Sequence, residues 1–171
     1  GEFEYQDGDQ ITFKIGEVTL GTVAASGRIT PIDLVENTHA QINMMIFLQS
    51  LDSDGDHTNG IQLSSTVIAN LTSTDIDFDI DTNSFIDNFE DTLSNITGDD
   101  DVEVVSSETA QNNFKTALLK DISGIWYVKA GTSEDDSEIA LIINDDGTYT
   151  MGEAVPNEVN SEGNGIEVGT I

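Results

Sequence analysis

The spacing of apolar residues changes twice along the sequence, and this change constrains the fold more than any other feature. Near the start, Ile11, Phe13 and Ile15 alternate with polar residues, which is the period of a half-buried strand. Residues 38–51 carry apolar residues around most of a helical circumference, which is typical of a central helix. From residue 122 the period of two returns. The sequence therefore predicts an α+β fold in which strands are followed by helices and then by strands.

Three sections follow from these periods. Residues 1–25 are predicted to be β strands that end a β module, and residues 26–121 to be a helical section with an Asp-rich loop. Residues 122–171 are predicted to be an antiparallel β section, sandwich-like or barrel-like, with a hairpin turn at 144–147. Both ends of the sequence read as the inside of a β region. We therefore expect the sequence to be a piece of a longer protein.

Start and stop signals divide the helical section into several predicted helices. Thr30 is a candidate N-cap, and Ser64 or Ser65 is a candidate cap for a short helix. A further helix over residues 83–95 is predicted to end at Gly98, because glycine readily adopts the left-handed conformation that ends helices.

The charge balance excludes several classes of partner. Asp and Glu number 33 and Lys and Arg number 5, which gives a formal net charge of −28. Nucleic acids and anionic membrane surfaces both require a basic face, so neither is expected as a partner. Salt and bound cations weaken the self-repulsion of so acidic a chain, which favours an extracellular or cell-surface location.

The sequence lacks two features, and each lack excludes a kind of site or location. The sequence has no cysteine, which excludes disulfides and thiolate metal sites. No apolar run approaches the roughly 18 residues of a membrane-spanning helix, so no membrane insertion is predicted.

The segment "LDSDGDHTNGI" carries the most specific candidate site. Calcium takes oxygen ligands, and a short loop supplies them from alternate positions, as an EF-hand does at its first, third and fifth residues. His57 stands at the sixth position, where glycine is usual, and Leu63 at the twelfth, where a bidentate glutamate is usual. The segment therefore predicts a loose, low-affinity calcium loop, and the alternative is a solvated Asp-Gly-Asp turn. The predicted ligands are Asp52, Asp54, Asp56, Thr58 and Asn59.

Two other features could carry chemistry. In "TDIDFDID", Asp75, Asp77, Asp79 and Asp81 alternate with apolar residues, which predicts a strand with a solvated acidic face. A second cation site or a pair of acids for hydrolysis is the alternative. Trp126 and other aromatic residues of the last section could stack on sugar rings, although packing in a β core is the commoner role.

The sequence also resembles a known family. The blocks "GEFEYQDGDQITFKIGEVTLG", "LQSLDSDGDHTNGI" and "ISGIWYV" occur in this order in a largely uncharacterised family of secreted proteins and lipoproteins of marine gamma-proteobacteria. The resemblance implies a multi-module surface protein and location more than activity. The acidic positions of the loop and Asn59 match the family, which often has proline in place of His57. That difference argues against a standard EF-hand geometry, because proline cannot adopt a left-handed conformation.

These observations lead to one leading hypothesis and two alternatives. We expect a non-enzymatic extracellular module, stabilised by calcium, that serves adhesion, matrix or filament assembly. Its expected partners are other protein subunits or surface components, and self-assembly through an exposed strand edge is included. The first alternative is a carbohydrate or small-ligand binding module, and the second is a carboxylate-based hydrolase.

Overall fold

The structure, a computed structural model, describes residues 4–72, 76–129, 137–154 and 165–171. Strands, helices and strands follow one another in the predicted order. The elements are β1 (Gln10–Ile15), β2 (Val18–Ala24), α1 (Pro31–Leu34), α2 (Thr38–Ser50), α3 (Ser65–Asn70), α4 (Thr82–Thr97), α5 (Ser107–Ile122), β3 (Gly124–Lys129), β4 (Glu138–Ile143), β5 (Thr148–Ala154) and β6 (Gly165–Thr170).

The predicted α+β class is confirmed. β1 and β2 form an antiparallel pair, and β3, β4, β5 and β6 form a four-stranded antiparallel sheet in chain order. This sheet is open, so the expectation of a barrel-like C-terminal section is wrong. The physical reason is the small number of strands, because the diameter of a barrel grows with strand number and four strands are too few to close around packed side chains.

The chain divides into two compact units, residues 1–113 and 114–171. The first unit contains the β1–β2 hairpin and the helices up to the first half of α5, and the second contains the rest of α5 and the four-stranded sheet. The predicted sections 1–25, 26–121 and 122–171 stay a prediction.

Four phenylalanines form the centre of the core of the first unit. The ring of Phe47 on α2 lies 5.4 Å from that of Phe78 and 5.3 Å from that of Phe89, centroid to centroid. Phe85 lies between Phe78 and Phe89, with centroid distances of 5.9 and 5.6 Å. Phe47 is completely buried, and the cluster joins α2 to α4 and to the segment before α4.

Short polar side chains begin the helices, as the sequence predicts. Asp33 accepts hydrogen bonds from the backbone N–H and the hydroxyl of Thr30, each at 2.7 Å, which completes a capping box at α1. Ser64 accepts from the N–H of Val67 at the start of α3. Gly98 follows α4 with φ 74°, which confirms the predicted left-handed end of that helix.

In the second unit, α5 covers part of one face of the sheet. Leu119 on α5 and Ile143 on β4 are both buried, and the indole N–H of Trp126 donates to the carbonyl of Ile122 at 2.8 Å. The predicted hairpin turn at 144–147 is confirmed, because Gly147 N–H donates to the carbonyl of Asn144 at 3.0 Å. Across the described residues, no helix is long and apolar enough to cross a membrane.

Candidate functional site

The acidic loop lies between α2 and α3, where the sequence places it. It begins at the buried Leu51 and is closed at its base by two hydrogen bonds. The N–H of Ser53 donates to the carbonyl of Gln62, and the N–H of Gln62 donates to Oδ1 of Asp52, both at 2.8 Å. Asp52 therefore closes the loop, and this carboxylate oxygen already has a partner within the chain.

The two central aspartates accept hydrogen bonds from the loop itself. Asp54 accepts from the N–H of Asp56 through Oδ1 and from the Asn59 amide through Oδ2, both at 3.0 Å. Asp56 accepts through Oδ1 from the N–H of Thr58 at 3.0 Å and from its hydroxyl at 2.6 Å. Each carboxylate thus forms a local turn with the residue two positions later, as aspartate commonly does.

These hydrogen bonds also set the ionisation of the loop. The Asn59 amide and then the N–H of Asp56 hold the pKa of Asp54 below its ordinary value, although the charge of Asp56 acts in the opposite direction. The hydroxyl and N–H of Thr58 lower the pKa of Asp56. Both carboxylates are therefore ionised at neutral pH, and Asp54 lies close enough to Asp56 to be affected by its charge.

Hydrogen bonds within the loop join four of the predicted calcium ligands in two pairs. Asp54 is joined to Asn59 and Asp56 to Thr58, whereas Asp52 is bonded to the far end of the loop. Among the residues that the structure describes, no group of three or more His, Cys, Asp or Glu side chains lies close enough to hold a metal ion. The calcium site, with ligands Asp52, Asp54, Asp56, Thr58 and Asn59, stays a prediction. The oxygen-rich composition suits calcium, but the ligands would have to turn toward a common point.

The same Asp-x-Thr turn recurs in the C-terminal hairpin. Asp146 accepts from the N–H of Thr148 at 2.8 Å and from its hydroxyl at 2.6 Å, and these two bonds lower the pKa of Asp146. The aspartate and the threonine are two positions apart, as they are at Asp56 and Thr58. This arrangement in an ordinary hairpin means that the turn alone does not indicate a metal.

A small cavity adjoins the acidic loop. Its volume is about 150 Å³, below the roughly 300 Å³ at which small-molecule pockets begin. Asp52 and Asp99 both line it, and Oδ1 of Asp99 accepts from the N–H of Asp101 at 3.0 Å. No motif in the sequence links Asp99 to Asp52, because Asp99 lies in a different loop more than 40 residues later. The lining residues are Ser50, Leu51, Asp52, Ser53, Ser64, Val67, Thr97, Asp99 and Val102.

The segment before α4 is not the predicted strand. Residues 76–81 are outside any strand, although their burial alternates as expected: Phe78 is buried and Asp77 and Asp79 are exposed. The backbone carbonyls of Phe78 and Ile80 accept hydrogen bonds from the side-chain amide of Asn43, both at 2.9 Å. The side-chain amide of Asn43 on α2 therefore supplies the hydrogen-bond donors that a neighbouring strand would supply.

The aspartates of this segment have structural partners. Asp77 accepts from the N–H of Asp79 at 2.9 Å, and Asp79 accepts from the Asn37 side chain at 2.5 Å. Asp81 accepts from the N–H groups at the start of α4 and is its N-cap. The fourth predicted member, Asp75, lies outside the described residues. These roles in turns and caps favour a structural explanation of the acidic ladder over paired acids for hydrolysis.

The aromatic residues of β3 do not form one platform. Trp126 is 50% exposed and Tyr127 is 61% exposed, so packing in a core does not explain them. Consecutive strand residues point to opposite faces, so one sugar ring could not stack on both side chains. The third aromatic residue of the section, Tyr149, donates its hydroxyl proton to the carboxylate of Glu167.

One face of the four-stranded sheet is apolar and exposed. We call this the open face and define it by five residues from β3, β4 and β6. Their exposed fractions are 79% for Ile125, 61% for Tyr127, 42% for Ile142, 81% for Ile166 and 71% for Val168. The register places them in two adjacent rows on the side of the sheet opposite the buried Ile143.

The open face was missed at the sequence level. The continuous apolar run "IWYV" in β3 is the relevant signal, because such a run is typical of a strand with apolar surroundings on both faces. α5 partly covers one of these faces.

Comparison with known proteins adds no assignment to these sites. No protein-family model, no curated protein and no solved structure matches the chain. The resemblance to secreted proteins of marine gamma-proteobacteria accordingly stays a prediction, as do the loop's metal and the extracellular location.

Proposed function

We propose that this protein is a non-enzymatic structural module of the extracellular or cell-surface space that binds other protein subunits through its C-terminal sheet. The observation that carries the proposal is the open face. Exposed apolar patches on soluble proteins are often functional and mark interaction sites.

The charge distribution is consistent with a partner at this face. The chain has 33 acidic residues, yet none lies in the two rows that form the open face. At one end of these rows, Lys129 and Glu138 form an ion pair at 3.9 Å. An uncharged centre with a polar rim is the usual composition of a protein–protein interface.

The proposal includes calcium as a stabiliser of the acidic loop. Asp54 and Asp56 are ionised and close enough to repel each other, so a cation would lower the electrostatic free energy of the loop. Binding would require the Asn59 side chain to turn its oxygen toward the ion, since its nitrogen now contacts Asp54. That rearrangement favours weak binding, with a dissociation constant on the order of 10⁻⁴ to 10⁻³ M.

The calcium component is tested by thermal unfolding. We expect the Tm of the protein to rise in millimolar calcium relative to EDTA, and Asp56→Asn to remove most of that rise. Asp146→Asn is the matched control, because it changes the same Asp-x-Thr turn outside the acidic loop. A Tm that is equal in calcium and in EDTA would contradict a calcium site.

The open face is tested with the dye ANS, which binds exposed apolar surface. We expect the folded protein to bind ANS, and the double variant Ile166→Thr/Val168→Thr to bind much less of it. The control is Ile68→Thr, which changes a half-exposed isoleucine of α3, outside the sheet. A native protein that is monomeric and binds no ANS would have this face covered by its own chain, and that result would overturn the proposed binding function.

A further inference from the structure

Both edge strands of the four-stranded sheet have an unpaired side within the described part of the chain. β3 pairs with β4, and β6 pairs with β5, which leaves one edge of each strand without a neighbour. Neither edge strand contains proline, and the register of each with its neighbour is continuous, without a bulge. Such unprotected edges are templates for pairing with another strand.

The register places the apolar residues of the two edges in the same two rows. In one row Ile125 is at the β3 edge and Val168 at the β6 edge. In the next row Tyr127 is at the β3 edge and Ile166 at the β6 edge. A second copy of the sheet, displaced only perpendicular to the strands, would therefore place its apolar edge residues opposite those of the first copy.

The strand directions allow this pairing. In an antiparallel sheet of four strands, the first and last strands run in opposite directions, so β3 and β6 are antiparallel. When one copy is placed beside another in the same orientation, β6 of the first is antiparallel to β3 of the second. The junction then has the same hydrogen-bond pattern as the interior of the sheet.

We propose that the occupant of each edge is a second copy of this chain, with β6 of one copy paired to β3 of the next. Val168 then lies opposite Ile125, and Ile166 opposite Tyr127, which are favourable cross-strand pairs. Because the contact joins two different surfaces, each added copy leaves one β3 edge and one β6 edge open, and the assembly grows as a filament. The inference rests on the proposed structural function and specifies its partner.

The charges of the edge strands disfavour the pairing of β6 with a second β6. β3 carries Lys129, and β6 carries Glu167. If two β6 strands paired with their apolar rows aligned, Glu167 of one copy would lie directly opposite Glu167 of the other, which is destabilising. In the pairing of β6 with β3, Glu167 lies opposite Trp126 instead. The net charge of −28 still opposes assembly, so assembly should increase with salt.

The experiment is sedimentation velocity of the protein over a range of concentrations, at low salt and in about 1 M NaCl, where the Debye length is about 3 Å. We expect species larger than a dimer that increase with both variables. Ile125→Lys should block the β3 edge and Val168→Lys the β6 edge, and each variant alone should be monomeric. The matched control is Ile142→Lys, which adds the same charge to the same row on an interior strand and should still assemble.

Mixing the two edge variants distinguishes this pairing from a closed dimer. Each variant keeps one intact edge, so an equimolar mixture of Ile125→Lys and Val168→Lys should form a dimer and nothing larger. A native protein that is monomeric in high salt overturns the inference, as does a Val168→Lys variant that dimerises alone. A monomer that still binds ANS would overturn this pairing and leave the proposed function intact, because the open face is not consumed by edge pairing.

Discussion

The helical unit and the C-terminal sheet use their apolar side chains in opposite ways. In the first unit they are withdrawn from water: Phe47, Met44 and Ile46 on α2 are completely buried. In the second unit, Ile125 and Ile166 expose about four-fifths of their surface. Burial at about 25 cal/mol per Å² stabilises a fold, whereas the same surface left exposed is available to a partner. The contrast separates a unit that is stable through its own core from one whose apolar surface serves association.

The largest effect is expected from Phe47→Ala. The ring lies within 5.4 Å of two other phenylalanine rings and is completely buried, so its removal leaves a cavity. We expect a loss of about 3–5 kcal/mol in the free energy of unfolding, measured by urea denaturation. Ile68→Ala, at a side chain 47% exposed, should cost about 0.5 kcal/mol or less. Equal losses in the two variants would contradict the assignment of the core.

Asn43→Ala should have the next largest effect. The buried amide donates to the carbonyls of Phe78 and Ile80, and its loss leaves both acceptors without that donor. We expect a loss of about 1–3 kcal/mol by the same measurement. Asn70→Ala is the matched control, because Asn70 also donates to two carbonyls but is exposed, so water can replace it. If both variants lose the same free energy, burial is not the source of the effect.

In the sheet unit, Gly147→Ala should destabilise the hairpin. Gly147 has φ 83°, and an added Cβ would lie 3.3 Å from Cδ1 of Leu119. We expect a cost of about 1–2 kcal/mol from the left-handed backbone. Trp126 is the one tryptophan of the chain, so its fluorescence follows the unfolding of this unit. Gly152→Ala, where an added Cβ meets no atom within 4 Å, should change the transition far less.

Acid should weaken both units through the same kind of turn. The folded pKa values of Asp54 and Asp56 in the first unit and of Asp146 in the second are below the ordinary value of 3.8. Their contribution to stability is therefore fully present above pH 3.8 and is lost as the pH falls through the lower folded values. Urea midpoints measured at decreasing pH should fall in this range. Asp56→Asn and Asp146→Asn keep an acceptor oxygen, so each should make the fall shallower. Midpoints with an unchanged pH profile in both variants would contradict this assignment.

The smallest effect is expected from Ile125→Thr on the open face. With 79% of the side chain already exposed, its replacement should change the free energy of unfolding by about 0.5 kcal/mol or less. Ile46→Thr, at a completely buried isoleucine, should cost several times more in the same assay. A comparable cost at the two positions would mean that the open face is packed in solution and would remove the contrast between the units.

Local signals in the sequence predicted most of the elements. The capping residues Thr30 and Ser64, the left-handed Gly98 and the hairpin turn at 144–147 all act through neighbours within a few positions. The prediction of a strand within residues 76–81 is wrong. Asn43, which lies 35 positions before Phe78, donates the hydrogen bond that a neighbouring strand would otherwise supply. The alternation in the sequence does predict which of these residues are buried, but burial alone does not determine the backbone conformation.

For the candidate sites, too, the sequence predicts local features better than contacts between distant residues. The sequence placed the acidic residues in one loop, but not the hydrogen bonds that pair Asp54 with Asn59 and Asp56 with Thr58. The run "IWYV" predicts a strand with apolar surroundings on both faces, but it does not predict which face a helix of the same chain covers and which face stays exposed. Which surface remains exposed depends on the packing of whole elements, here of α5 on one side of the sheet.

The short-range turns formed by aspartate have a consequence for the acidity of this protein. Among the residues that the structure describes, six aspartates each accept the N–H of the residue two positions later, namely Asp54, Asp56, Asp77, Asp81, Asp99 and Asp146. Part of the negative charge of the protein therefore belongs to aspartates that stabilise turns. Substituting asparagine at these six positions would remove six charges and keep an oxygen to accept each of these N–H groups, although at Asp54 the second acceptor, which bonds the Asn59 amide, would be lost. Lysine and alanine have no acceptor oxygen, so either substitution would remove the turn together with the charge. Only a residue that keeps an acceptor oxygen would change the charge of these loops without changing their shape.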